Sequence, residues 1–137
     1  IAADSNICRN YKLLTSIKGV GPITAIVMLC STLNFTKITD HRKFACYCGL
    51  APFEHSSGTS VRGGCHTSSM ANRDIKVQLN RSALIAIRCD PQLKAYYERK
   101  VAEGKHKFSV LNAVRAKIAA RCFAVVRRGT PYVALQI

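Results

Sequence analysis

Residues 54–64 read Glu54-His55-Ser56-Ser57-Gly58-Thr59-Ser60-Val61-Arg62-Gly63-Gly64, a stretch that mixes nucleophilic, basic and very small residues. A serine hydroxyl beside glycines can be approached closely by a bulky phosphodiester. Arg62 can neutralise phosphate charge, and His55 can take a proton. The same composition also suits a polar surface loop. A second stretch, Ile17-Lys18-Gly19-Val20-Gly21-Pro22-Ile23-Thr24-Ala25, has the spacing of a helix-hairpin-helix. Gly19 and Gly21 are read there as residues free to take backbone angles closed to others. Pro22 fits the first turn of a following helix. The free N–H groups of that turn, with the helix dipole, can meet a phosphate oxygen. An ordinary tight turn between two helices is the plainer alternative.

Equally informative is what the chain lacks. Phosphoryl transfer on two metal ions needs several carboxylates converging on one point. The acids are only Asp4, Asp40, Glu54, Asp74, Asp90, Glu98 and Glu103, and they are dispersed. Asp40, Asp74 and Asp90 stand where helices are expected to start, so no self-contained metal nuclease is expected. No hydrolase motif of the G-x-S-x-G kind occurs. A zinc site from His41, Cys46, Cys48, Cys65 and His66 is disfavoured, because Cys-x-Cys lacks the usual spacer and no Cys-x-x-Cys follows. The chain carries 21 Lys+Arg against 7 Asp+Glu, a formal charge of +14. That excess favours a polyanionic partner, most simply DNA or RNA. No basic amphipathic helix with an aromatic apolar face stands out, which weakens a membrane partner. Seven cysteines with no secretion signal point to reduced thiols and a cytoplasmic setting.

The elements that must position these groups read as helices throughout. The pattern predicts helices over 5–17, 22–33, 41–48, 70–89, from Pro91 to Gly104, and over 107–128, closed by Gly129. Asp40 or Thr39 is expected to cap the third, and Asp90 the fifth. Leu13, Leu14 and Ile17, then Ile23, Ile26, Val27 and Leu33, are the apolar flanks of the hairpin. Ile75, Leu79, Ala83, Ile85, Ala86 and Ile87 mark the long helix. Phe108, Leu111, Val114, Ile118, Cys122 and Val125 mark the last one. Cys30, Cys89 and Cys122 read as small buried hydrophobes. The fold class is therefore all-α, a compact multi-helix domain with a helix-hairpin-helix at 10–34 and a Gly/Ser-rich loop or small hairpin at 50–68. A single domain spans 1–137; opening on Ile rather than Met, it is expected to be a fragment. Arg73, Lys76, Arg81 and Arg88, and on the last helix Arg115, Lys117, Arg121, Arg127 and Arg128, either track a phosphate backbone or form solvated faces.

Taken in order, Leu13 to Ala25, Phe44-Ala45-Cys46-Tyr47-Cys48-Gly49-Leu50-Ala51-Pro52, Ser57-Gly58 and Asn72-Arg73-Asp74-Ile75-Lys76 resemble the C-terminal domain of the Piv-invertase-related insertion-sequence transposases. The resemblance covers about residues 10–128. It implies a bacterial, cytoplasmic recombinase whose N-terminal RuvC-like domain, absent here, holds Mg2+ through four acids. It implies that Ser57, with Ser56 as the adjacent alternative, attacks the scissile DNA phosphate to form a phosphoserine link. The partners it implies are insertion-sequence ends and target DNA, a structured guide RNA, and further copies of the protein. Lys18, Gly19, Val20, Gly21, Thr24, Arg62, Arg73, Lys76 and Arg81 are the expected nucleic-acid contacts. The fragment alone, which binds no metal of its own in this reading, is expected to be inactive. The chain departs from the family's usual Lys-x-Gly-Asn before the long helix, reading Ser69-Met70-Ala71-Asn72. Two other classes remain open at this point: a non-catalytic helix-hairpin-helix binding module, and a helical interaction domain whose charge is incidental.

Overall fold

The computed structural model describes residues 4–50 and 69–133, with side chains in the second segment from Arg73 onward. Among the described residues there are six helices and no strand: α1 (Ser5–Thr15), α2 (Pro22–Ser31), α3 (His41–Tyr47), α4 (Ser69–Cys89), α5 (Pro91–Ala102) and α6 (Lys107–Arg128). Three of them, α1, α3 and α5, start on an acid. The Asp4 carboxylate accepts from Asn6 N at 2.9 Å, Asp40 from Arg42 N at 3.1 Å and Asp90 from Gln92 N at 2.9 Å. Each satisfies an N–H that the helix itself leaves unpaired. Gly129 closes α6 in the left-handed conformation, at φ 69°. So three of the few carboxylates serve as caps.

The helices pack around an α4–α6 pair. α4 is packed against α2, α5 and α6, and α6 also against α1 and α3. Ile75, Leu79, Ala83 and Ala86 of α4 are buried, as are Leu111, Val114, Ile118, Cys122 and Val125 of α6. The ring of Phe123 on α6 lies 5.4 Å from that of Phe44 on α3 and 4.9 Å, edge-on, from that of Phe35. These contacts seat α3 against α6.

Several apolar assignments are corrected. Ile23 is 60% exposed and Leu33 59%, so α2 buries its other side through Thr24, Ala25, Met28 and Leu29. A helix apolar all round offers no periodicity to decide between its faces. Ile85 and Phe108 are likewise exposed. Cys30 and Cys89 are exposed, while Cys48 joins Cys122 in the core. The first two helices end earlier than expected, at Thr15 and Ser31. After α2, Leu33, Asn34 and Phe35 all take positive φ (48°, 57° and 62°), an unusual left-handed run. Asn34 N donates to Leu29 O at 2.7 Å and its side chain accepts from Asn10 Nδ2 at 2.8 Å. Phe35 N donates to the Thr32 hydroxyl oxygen at 3.0 Å. These bonds hold a backbone that would otherwise relax.

The close approach of the hairpin to α4 turns on one glycine. Gly19 has φ +94°, and a Cβ there would stand 2.7 Å from the Ser82 carbonyl oxygen and 3.0 Å from Ala86 Cβ. Gly19→Ala is therefore expected to lower unfolding free energy by at least about 1–3 kcal/mol, read by urea titration. An unchanged midpoint would contradict the seat described here. The α5 junction gives a pH-dependent counterpart. Burial would raise the Asp90 carboxyl, but the hydrogen bond from Arg121, at 2.6 Å, the Leu93 and Gln92 N–H groups and the Arg121 charge outweigh it and hold it below its ordinary 3.8. Its stabilisation is thus present above that value and lost as pH falls through the lowered native one. Asp90→Asn is expected to cost about 1–3 kcal/mol at pH 7, and the gap from the unsubstituted chain should close on acidification.

Candidate nucleic-acid interface

The hairpin between α1 and α2 runs through Ser16–Gly21, and the structure divides its predicted contact residues by role. Val20 and Thr24 are each 5% exposed. The Val20 N–H donates to Ile17 O at 3.0 Å, and the Thr24 hydroxyl is hydrogen-bonded to the Ser82 hydroxyl at 3.1 Å. Both side chains are buried, Thr24 against α4 through Ser82. Gly19 is committed to α4 by its missing Cβ. Lys18 is exposed. Gly21 differs from expectation: its φ of −92° and ψ of −177° are extended backbone that any residue adopts. No heavy atom lies within 4 Å of a Cβ built there. The fold does not require a glycine at 21, yet the position opens directly on the first turn of α2. That turn has Pro22 at its start and no side-chain cap, unlike α1, α3, α5 and α6. Its N–H groups and its dipole are available to an anion beside Lys18.

The α4 cations are spread rather than gathered. Arg73, Lys76 and Arg81 are all exposed. Lys76 is turned toward the end of α3: its Nζ would lie 3.1 Å from a Cβ at Gly49, whose φ is +68°. That places a cation at the C-terminal, negative end of the α3 dipole. Arg73 stands one turn earlier on α4. Arg81 adjoins Ser82, under the hairpin, roughly 12 Å along the axis from Arg73 at the helical rise. Arg81 is thus next in sequence to the residue that Gly19 approaches, while Lys76 stays with the α3 end.

Ser56, Ser57 and Arg62 lie outside the described residues. The two ends of that segment are fixed. Leu50, its last described residue before the gap, is buried, and its carbonyl accepts from Asn112 Nδ2 of α6 at 3.0 Å. The far end enters α4 at Ser69. Arg115, one turn beyond Asn112, donates to Asn80 Oδ1 at 2.6 Å, and burial lowers its guanidinium pKa from the ordinary arginine value. Asn80 and Asn112, which the sequence did not single out, thus join Arg115 and the Leu50 carbonyl across α4 and α6. No group of three or more His, Cys, Asp or Glu able to hold a metal exists among the described residues. Asp4, Asp40 and Asp90 are used in capping. No helix among the described residues is long and apolar enough to cross a membrane.

Comparison with known proteins adds an independent line. A family model described as Transposase IS116/IS110/IS902 family matches residues 11–98. The chain is 39% identical over 121 residues to the insertion element IS110 uncharacterized 43.6 kDa protein of Streptomyces coelicolor, covering 88% of this chain and 29% of that protein. It is 26% identical over 126 residues to the pilin gene-inverting protein of Moraxella lacunata, covering 90% and 39%. It is 30% identical over 112 residues to the insertion element IS900 uncharacterized 42 kDa protein of Mycobacterium paratuberculosis, covering 80% and 28%. The chain thus spans about a third of the length of these relatives.

The surroundings of Cys48, at the α3 end, can be checked by thiol chemistry. Burial pushes its thiol up to about 12, against the opposing pull of the Lys76 charge, and burial does the same to Cys122. Only thiolate reacts quickly with alkylating agents. Iodoacetamide at pH 8 is expected to label Cys30, Cys46 and Cys89 in the native chain and to reach Cys48 and Cys122 only in urea. Labelling of native Cys48 at the rate of Cys46 would contradict the packing of α3.

Proposed function

The chain belongs to the Transposase IS116/IS110/IS902 family, and from that premise we propose that it is the part of a DNA recombinase that grips nucleic acid and brings a serine hydroxyl to a phosphodiester. The observation that carries the grip is the hairpin. Its inward residues seat it on α4, and its outward features, Lys18, the open Gly21 and the uncapped start of α2, are those a phosphate needs. Such contacts hold a backbone without reading sequence.

The serine is assigned to Ser57 by the family resemblance. Its Oγ attacks phosphorus as its proton passes to a base. The bond from phosphorus to one deoxyribose oxygen breaks, and that oxygen leaves as a protonated hydroxyl. The diester on serine keeps the bond energy for rejoining. The dispersal of the chain's carboxylates supports a division of labour in which magnesium-binding acids belong to a portion outside this chain. Guide RNA and assembly with further copies are part of the same reading. Recombination of DNA is an activity of the whole protein and is not expected of these 137 residues alone.

Two substitutions test the two halves. In a protein of the relatives' length, Ser57→Ala should abolish strand exchange while sparing DNA binding, whereas Ser56→Ala should leave exchange within a fewfold. Exchange surviving in Ser57→Ala would remove the assignment. Gly21→Ala should cost about 1 kcal/mol of stability, the difference between glycine and alanine at an N-cap, because its backbone is extended and a Cβ there meets no atom. It should weaken oligonucleotide binding by roughly tenfold, the loss of a close contact worth about 1.4 kcal/mol. Unaltered binding would move the phosphate away from the hairpin.

A further inference from the structure

On the side of α6 that faces α5 lies a groove of about 770 Å³, walled by α5, α6 and the segment after α6. Tyr96 and Arg99 line it from α5, Lys117, Arg121 and Arg128 from α6, and Tyr132 from the tail. The Lys117 ammonium sits 4.6 Å from the Tyr96 ring centroid, and the Arg99 guanidinium 5.7 Å from the same ring. The Arg121 guanidinium lies 4.8 Å from the Tyr132 centroid. Only Arg121 has a carboxylate partner: Asp90, 2% exposed, which is already capping α5. Arg99, Lys117 and Arg128 have none within ion-pair distance among the described residues.

Three uncompensated cations gathered on one groove repel one another, and two of them share a single ring. Cation–π contacts hold them in place but do not neutralise them. An anion does both. The rings make the groove amphipathic, and cations interleaved with aromatic faces are the combination that accepts a nucleic-acid strand. Its position agrees. Tyr132 N donates to the Ser16 hydroxyl at 2.9 Å, which ties the groove wall to the first residue of the hairpin, two positions before Lys18.

We propose that the α5–α6 groove is a second phosphodiester-binding site, taking the backbone of a single nucleic-acid strand that continues from the hairpin. The site rests on the reading of the chain as a nucleic-acid-binding domain but uses no residue of the hairpin or of the serine segment. It would give the domain a track rather than a point contact, with the hairpin at one end and Arg99 and Lys117 at the other.

The test uses the chain with Arg99→Ala, Lys117→Ala and Arg128→Ala together, and fluorescein-labelled 20-mer DNA and RNA strands of one sequence as probes. Binding is read against salt. Losing three phosphate contacts should weaken binding at low salt by about tenfold or more and flatten the slope of log K on log[salt] by roughly 2. Whichever strand shows the loss identifies the natural occupant. Arg99→Lys with Arg128→Lys, which keeps the charge, should retain most of the slope and guards against a folding defect in the alanine variant. Unchanged affinity and slope in the alanine variant, with Gly21→Ala still weakened, would overturn the groove and leave the hairpin standing. Polyglutamate binding there as tightly as either strand would overturn it in favour of an acidic peptide. Absence of binding by the unsubstituted chain would remove the nucleic-acid reading itself.

Discussion

Everything positioned by this fold depends on how closely a loop backbone approaches the side of a helix. At Gly19 the chain runs so near α4 that the space a methyl group would need is filled by the Ser82 carbonyl and Ala86. Small residues at 83 and 86 make the α4 surface low enough for that approach, and the Thr24–Ser82 hydrogen bond pins it from the next helix. Once the hairpin is seated, the direction of α2 is set, and with it the outward aim of its uncapped first turn. Binding groups placed on a backbone held this way lose little entropy when a ligand arrives.

Charge is distributed by a complementary logic. The chain has three times as many cations as carboxylates, and three of its seven acids, Asp4, Asp40 and Asp90, are used at helix starts. Asp90 illustrates this, since one buried carboxylate both begins α5 and fixes Arg121. The cations left over are held by rings or lie free on α4, available to a polyanion. A field of that sign draws nucleic acid from a distance and makes its binding salt-dependent.

Local punctuation made the helices legible in the sequence. Asp40, Asp90-Pro91 and Gly129 mark starts and stops whose physics is contained within four or five residues, and the boundaries they imply are those observed. Which face turns inward was less legible. α2 is apolar on every side, so nothing local distinguishes buried Met28 from exposed Ile23. The left-handed run at Leu33–Phe35 was hidden because its support comes from Asn10 and Thr32. Between α1 and α2, motif spacing marked the turn but could not separate Gly19, required by packing, from Gly21, beside which a Cβ meets no atom. Of the α5–α6 groove, the cations Lys117, Arg121 and Arg128 were legible on the last helix, but their meeting with Tyr96 and Arg99 of α5 and Tyr132 of the tail arises only on folding. Ser56, Ser57 and Arg62 fall outside the described residues, and their roles rest on family resemblance.

The central claim is that one face of a rigid helical domain, from the hairpin to the α5–α6 groove, carries a phosphate backbone. Titrating isotope-labelled chain with an oligonucleotide and following every backbone amide by NMR tests it most directly. The account predicts that the largest shifts fall on Lys18, Gly21, Ile23 and the groove residues, while the buried faces of α4 and α6 hardly move. Shifts confined to α3, or scattered over the surface without a focus at the hairpin, would contradict it.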